Sequence, residues 1–389
     1  MHGSSEASRR LRRQGYTGRL TCESLTALKV PFIAAGRNQG RLDAVVSEIR
    51  ARGADCEARV TEHTPWGLRE LLHGMKVVIN TSGPFSLLGH AVVDAALAEG
   101  CHYVDSTGEQ DFMLDVRRDF SSRYAREKLV LAPSTAFLWG PGSAAAELVL
   151  ETPGIDTLEV TYAPPSLQTV ASLQSMARSL RRPGFSIVDG MLRPVPIPDV
   201  RRVTLPNGET RGALRIAAGE ATFFLDDPRV RRCDTLFAND LLARAGTAAG
   251  LWNKLGRVLP GETLDKWSDA VIVRVKKDPP AEQPESGRFV ITVVGQGGGK
   301  TVRAVLNGTS PYVFTGFMGA MAAQALLEGK AQRFGYGSIA QALGARYVLG
   351  RMEEIGTKAT FEPPVAARSA TGADSVARAS SRETRHVGE

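Results

Sequence analysis

The stretch Lys76–Phe85, KVVINTSGPF, decides the fold. Its first half, KVVIN, is a run of β-branched residues, the composition of a strand buried in a parallel sheet. Its second half, NTSGPF, packs turn residues directly after the strand, with Gly83 and Pro84 fixing a tight backbone path. Gly89–Glu99 (GHAVVDAALAE) then has apolar residues at helical spacing, closed by Gly100.

The same alternation extends in both directions. Upstream, Pro31–Ala35 (PFIAA) is a strand closed by Gly36, followed by a helix over Arg41–Arg52. Downstream, His102–Asp105 (HYVD) and Lys128–Ala132 (KLVLA) are strands, with a long helix over Gln110–Glu127 between them. Strands alternating with helices predict βαβ units and a parallel sheet of Rossmann type, doubly wound. Gly15-Tyr16-Thr17-Gly18 opens a helix over Thr17–Leu28. Glycines there let a backbone approach a pyrophosphate seated on the helix N-terminus, although a plain turn reads the same in isolation.

About twenty residues beyond that turn is the place where this fold selects its dinucleotide. An acidic residue there would bind a ribose 2′-hydroxyl; this chain has Arg37 and Asn38. An arginine suits a 2′-phosphate, so NADP(H) is favoured over NAD(H). Ligands bind off the carboxyl ends of such strands, which is where the segment Asn80–Phe85 falls, and Asn80 and Thr81 can reach a ribose or phosphate, although an ordinary strand-to-helix turn reads the same. The next strand end, Tyr103–Glu109 (YVDSTGE), adds Tyr103 and Glu109 as candidate catalytic proton donors or orienters. Their alternatives are a buried strand residue for Tyr103 and an acid facing a helix dipole for Glu109.

After Ser134 the pattern changes. Asp156–Ala163 (DTLEVTYA), Ala270–Lys276 (AVIVRVK) and Arg288–Val294 (RFVITVV) read as strands, Ser166–Arg182 as a helix, and Asn207-Gly208 as a hairpin turn. This predicts a second, α+β domain with a mostly antiparallel sheet. Helices over Pro311–Glu328 and Ser338–Glu354 close the fold. The expected division is a Rossmann-like domain over 9–135, an α+β substrate or dimerisation domain over 136–310, closing helices over 311–355 and a disordered tail over 356–389. Gly295–Thr301 (GQGGGKT) imitates a phosphate-binding loop, but Val294 stands where its first glycine belongs and VRAVL follows as a strand. It reads as a glycine-rich hairpin.

Bulk properties narrow the function. Hydrophobic residues are 43% and charged residues 23% of the 389, as in an ordinary globular protein. The net charge of +7 comes from scattered arginines without interleaved aromatics, which argues against nucleic acid. The four cysteines and six histidines form no ligand spacing, so no metal site is expected. No apolar run spans a membrane and the start is no secretory signal, so a cytoplasmic chain is expected.

Together GYTGRL, PFIAAGRN with RL after it, VVINTSGPF and CHYVDSTGEQDF resemble the saccharopine dehydrogenase-like family. The likeness is greatest to a bacterial branch and continues to about Gly356 through GIDTLEV, VRAVLNG and the Tyr312–Glu328 helix. The resemblance implies an NADP-binding Rossmann domain and a two-domain oxidoreductase with a cleft between the domains. Hydride would pass to or from a carbonyl, imine or activated alkene of a small-molecule substrate. It also implies Gly15, Tyr16, Thr17 and Gly18 at the cofactor turn, Arg37 and Asn38 on the adenosine side, and Asn80, Gly83 and Pro84 at the nicotinamide end. A second copy of the chain is a candidate partner. The chain departs from the family at PSTAFLWGPG, the loop after Ala132, which leaves the substrate open.

The departure at the start is larger. Relatives have an apolar strand ending in a glycine where this chain has Arg12, within LRRQ, and the first strand reads as lost or degenerate. That polarity motivates the alternative of a degenerate or truncated relative without cofactor, acting as a scaffold or helper subunit.

Overall fold

The computed structural model describes residues 15–165, 184–195, 199–240, 243–244 and 288–366. The polar start before Gly15, the helix expected over Ser166–Arg182, the strand expected over Ala270–Lys276 and residues 367–389 lie outside the described residues.

The N-terminal half begins with α1 (Tyr16–Ala27), β1 (Phe32–Gly36), α2 (Gln39–Arg50), β2 (Cys56–Val60) and α3 (Pro65–Leu72). It continues with β3 (Val77–Asn80), α4 (Phe85–Ala98), β4 (His102–Asp105), α5 (Gln110–Arg126) and β5 (Val130–Ala132). All pairings are parallel: β1 with β2, β3 with β4, and β4 with β5. Among the described residues these form separate sheets, β1–β2 and β3–β4–β5, the second extended by β14 (Gly335–Tyr336). Parallel strands carry their carboxyl ends to one edge, and that edge collects the loops that follow Gly36, Val60, Asn80, Asp105 and Ala132.

The second half is built on a nine-stranded sheet. The chain enters it through α6 (Gly140–Val149) and β6 (Thr157–Ala163), then β7 (Phe185–Val188), β8 (Met191–Pro194), β9 (Val200–Thr204) and β10 (Thr210–Arg215). There follow a short α7 (Glu220–Phe223), β11 (Arg232–Ala238), β12 (Phe289–Gly297) and β13 (Lys300–Gly308). Among the described pairings only β6 with β11 is parallel; every other is antiparallel, as expected. Asn207-Gly208 sits in the β9–β10 turn, and Gly297, Gly298 and Gly299 turn β12 into β13 with φ of 148°, 54° and 71°. The phosphate-loop imitation is thus a hairpin.

Three helices and a strand complete the described chain: α8 (Pro311–Leu327), α9 (Ile339–Leu343), α10 (Ala345–Glu353) and β15 (Lys358–Ala366). The tail expected from Gly356 is corrected here over its first part, because β15 pairs antiparallel with β13 at the sheet edge. Its mostly exposed side chains and Pro363-Pro364 erase the alternation that would announce a strand, and edges tolerate both.

Helix α8 ties the halves together. It is buried along most of its length and returns from the second half onto α1 and β3. Gly316 makes this approach possible: a Cβ there would stand 2.7 Å from the Leu20 carbonyl carbon. One apolar core consequently runs through both halves, joining Val104 and Leu131 to Phe137, Tyr162, Phe289 and Phe314.

Inside that core lies a buried carboxylate. Glu220 is 0% exposed; its Oε1 accepts from the Tyr162 hydroxyl at 2.6 Å and its Oε2 from Thr235 Oγ1 at 3.3 Å. Burial pushes its pKa from the ordinary 4.5 to about 7, against the pull of those hydrogen bonds.

Candidate functional site

At the carboxyl edge, Gly15 adopts φ 82°, a left-handed conformation that suits glycine, and starts α1. Gly18 faces the β3–α4 turn so closely that a Cβ would lie 3.1 Å from Thr81 Oγ1. Thus the start of α1 and Thr81 face each other at this edge. The N-terminus of α1 gives this edge a partial positive charge.

Arg37 follows β1 and is exposed, without an ion pair or side-chain hydrogen bond among the described residues. Asn38 acts locally and caps α2, accepting from Arg41 N–H at 3.0 Å. The loop after β2 lies beside them, since Thr61 N–H donates to Gly36 C=O at 3.0 Å.

The ends of β3 and β4 are cross-linked by side chains. Asn80 and Asp105 are register partners, and both are buried. Asn80 donates from Nδ2 to the Tyr103 hydroxyl at 3.2 Å and accepts from Ser82 N–H at 3.0 Å, shaping the turn that ends in Gly83 and Pro84. Glu109 accepts from Phe85 N–H and Ser86 N–H, each at 3.0 Å. These are orphan donors at the start of α4, so the carboxylate closes that helix end and fixes the same turn from the other side.

Tyr103 is 0% exposed and burial holds its phenol well above the ordinary range. Each of these two residues had a catalytic and a structural reading in the sequence. Tyr103 occupies the buried-strand place and Glu109 the helix-end place. The Tyr103 hydroxyl accepts from the Asn80 side chain and the Glu109 carboxylate from two backbone N–H groups, so both are engaged in holding this turn.

Asp105 extends the framework. Its Oδ1 accepts from Thr107 N–H at 2.9 Å and Ser134 N–H at 2.7 Å, joining the loops that follow β4 and β5. Burial pushes its pKa from 3.8 to about 7, against the pull of hydrogen bonds from Ser134, Thr107 and Tyr103. Ser134 Oγ in turn lies 2.6 Å from Thr107 C=O and 2.7 Å from Leu138 C=O, with one proton to donate to either.

The second half reaches this edge through α8. Phe137 N–H donates to Thr315 Oγ1 at 3.0 Å, fastening the post-β5 loop to α8. Tyr312, in the first turn of α8, meets Tyr16 edge-on with ring centroids 5.5 Å apart. Sequence reading missed Tyr312 and Ser134 as site residues. Tyr312 lies nearly the whole chain away from Tyr16, and only the packing of α8 on α1 brings them together. The signal available for it was the apolar helix beginning at Pro311. Among the described residues no group of His, Cys, Asp and Glu is placed to hold a metal, and no helix is long and apolar enough to cross a membrane.

Residues 14–129 match the saccharopine dehydrogenase NADP binding domain, and residues 140–368 match a family of unknown function, DUF5938. A probable mitochondrial saccharopine dehydrogenase-like oxidoreductase of Arabidopsis thaliana is 33% identical over 122 residues, covering 28% of this chain and 27% of the relative. A lipid droplet localized protein of Caenorhabditis elegans is 30% identical over 129 residues, covering 31% of this chain and 30% of the relative. The chain thus spans less than a third of the length of either. The apo saccharopine dehydrogenase (L-Glu forming) of Saccharomyces cerevisiae shares the fold with a TM-score of 0.58 at 10% identity, over 90% of this chain and 98% of that one. The chain belongs to the family DUF5938, carried behind a saccharopine dehydrogenase-type NADP-binding domain.

Proposed function

We propose that the protein is an NADP(H)-dependent oxidoreductase acting on a small molecule held between its two halves. The observation that carries this is Arg37: an exposed guanidinium without a partner among the described residues, at the strand end where the fold meets the adenosine ribose. The residues present fit the cofactor. Gly15–Gly18 and the start of α1 offer backbone N–H groups to the pyrophosphate. Arg37 offers a planar fork to the 2′-phosphate, and Asn38 sets the start of α2 beside it. Thr81, Gly83 and Pro84 border the nicotinamide end.

The cofactor, when bound, supplies a hydride acceptor or donor for a carbonyl, imine or activated alkene. The chain's own contribution is orientation. Asn80, Tyr103 and Glu109 hold the β3–α4 turn, and Asp105 with Ser134 holds the two loops beyond it. Tyr312 and Thr315 bring α8 against the crevice, where the substrate would be excluded from bulk water.

The test is titration of the full chain with NADPH and NADH, following nicotinamide fluorescence. NADPH should bind at least about tenfold more tightly, and Arg37→Ala should remove that preference, the size expected for charge-assisted hydrogen bonds. Absence of NADPH binding at about millimolar concentration, roughly the weakest useful range for a cofactor, overturns the proposal.

A further inference from the structure

A cavity lies away from the carboxyl edge. It has a volume of about 320 Å³ and sits between α5, the chain from α7 into β11, and the approach to β14. Arg333 precedes β14, and β14 runs parallel to β5. This arginine therefore stands at the amino edge of that sheet, opposite the loops that follow Asn80, Asp105 and Ala132. Both halves line the cavity: Arg117 and Ser121 come from α5, and Asp226, Asp227 and Arg229 from the loop before β11.

Three guanidinium groups face two carboxylates here, and their pairing is uneven. Arg229 is engaged. Its Nε donates to Asp227 Oδ1 at 2.9 Å, and its Nη2 donates to Asp227 Oδ2 at 2.6 Å and to Glu147 Oε2 at 2.9 Å. Arg117 pairs with Asp226, but the arginine side chain is 22% exposed and the aspartate 74%. A carboxylate that exposed gains little from an ion pair in water, so an external anion can replace it on Arg117 without disturbing the core. Arg333 is exposed and makes no ion pair or side-chain hydrogen bond among the described residues. Ser121 Oγ accepts from Tyr336 N–H at 3.3 Å, and its own proton has no acceptor among the described residues. The hydroxyls behind it are satisfied, since Tyr336 and Thr222 meet at 2.6 Å and Thr222 donates to Gly219 C=O at 2.7 Å. The open donors of the cavity are Arg333, Ser121 and, once Asp226 is displaced, Arg117.

We propose that this cavity binds a small dianion, a phosphate monoester or a dicarboxylate. A guanidinium fork matches either group, and the volume stands at the small end of the range for ligand pockets. The site is separate from the cofactor crevice, and the inference does not depend on the oxidoreductase reading. A bound anion bridges α5 of the first half to the segment that enters β14.

The experiment titrates the full chain by calorimetry with inorganic phosphate and with malonate, and repeats both on Arg333→Gln, Asp226→Asn and Arg37→Ala. The two cavity substitutions alter exposed side chains, so both variants should keep the wild-type thermal midpoint. Wild type should bind at least one of the anions with a Kd below about 10 mM. Arg333→Gln should weaken that binding by at least about tenfold, the size expected for charge-assisted hydrogen bonds. Asp226→Asn should tighten it by about threefold, because the competitor for Arg117 is gone. Arg37→Ala should leave it unchanged. Tighter phosphate than malonate assigns the site to phosphate monoesters, and the reverse order to dicarboxylates. A wild type that binds neither anion at about 10 mM overturns the proposal. Binding that stays within about twofold of wild type in Arg333→Gln, weakens in Asp226→Asn or disappears in Arg37→Ala also overturns it, since each result places the anion elsewhere.

Discussion

Replacing Glu220 with Gln should change how stability depends on pH more than it changes stability itself. The carboxyl is 0% exposed and burial raises its pKa from 4.5 to about 7. In the unfolded chain it releases its proton near its ordinary value; in the folded protein it keeps the proton until about pH 7. Between these values the unfolded state binds fewer protons, so stability falls as pH rises, and the fall levels off above the folded pKa. Each pH unit in that window is worth about 1.4 kcal/mol. From about pH 5 to about pH 8, Glu220 alone should therefore cost about 3 kcal/mol.

Glutamine keeps the shape, can accept from the Tyr162 hydroxyl and can donate to Thr235 Oγ1, but does not titrate. Urea unfolding of both proteins at the two pH values isolates the contribution, since every other carboxyl cancels in the comparison. The stability of wild type minus that of Glu220→Gln should drop by about 3 kcal/mol between the lower and the higher pH. A drop below about 0.5 kcal/mol, or a rise, would refute the assignment of a raised pKa to this carboxyl.

Gly316→Ala should destabilise the protein by about 1–3 kcal/mol, read from urea unfolding, because the added methyl meets the Leu20 backbone at 2.7 Å. Glu109→Ala should cost about 1–2 kcal/mol by stranding the N–H groups of Phe85 and Ser86, and hydrogen exchange should rise first at the start of α4. Gln110→Ala should loosen the halves: its amide accepts from Phe185 N–H and donates to Phe185 C=O and Ala218 C=O, each at 2.8 Å. Limited proteolysis near residues 184–185 should accelerate in that variant, and an unchanged rate would count against a clasp at this position.

The parallel half was legible because β4 and β5 are buried on both faces and the turns after β3 and β4 carry conspicuous residues. Cys56–Val60 escaped because it is an edge strand whose Glu57 and Arg59 break the apolar run. Strand β14 is two residues long and exists only through its pairing with β5, a contact made across the whole second half. At the site, the residue types at Arg37, Asn80 and Glu109 were legible, but their roles were not. Whether Glu109 faces a substrate or two backbone N–H groups depends on where α4 starts in space, and spacing along the chain does not encode that. Tyr312 was overlooked because it comes from the far end of the chain and reaches the site only through the packing of α8 on α1.

The return of α8 onto α1 has a consequence for ancestry. A nucleotide-binding domain that can be exchanged between proteins as a cassette must be severable at a single linker. Here the cut after Ala132 would leave α1 and β3 facing solvent where α8 now covers them, and would strip α8 of its own cover. Recombination at that point would join two halves that both lack a wall. A substitution that enlarges either helix at the Gly316–Leu20 contact is therefore expected to be felt in both halves at once.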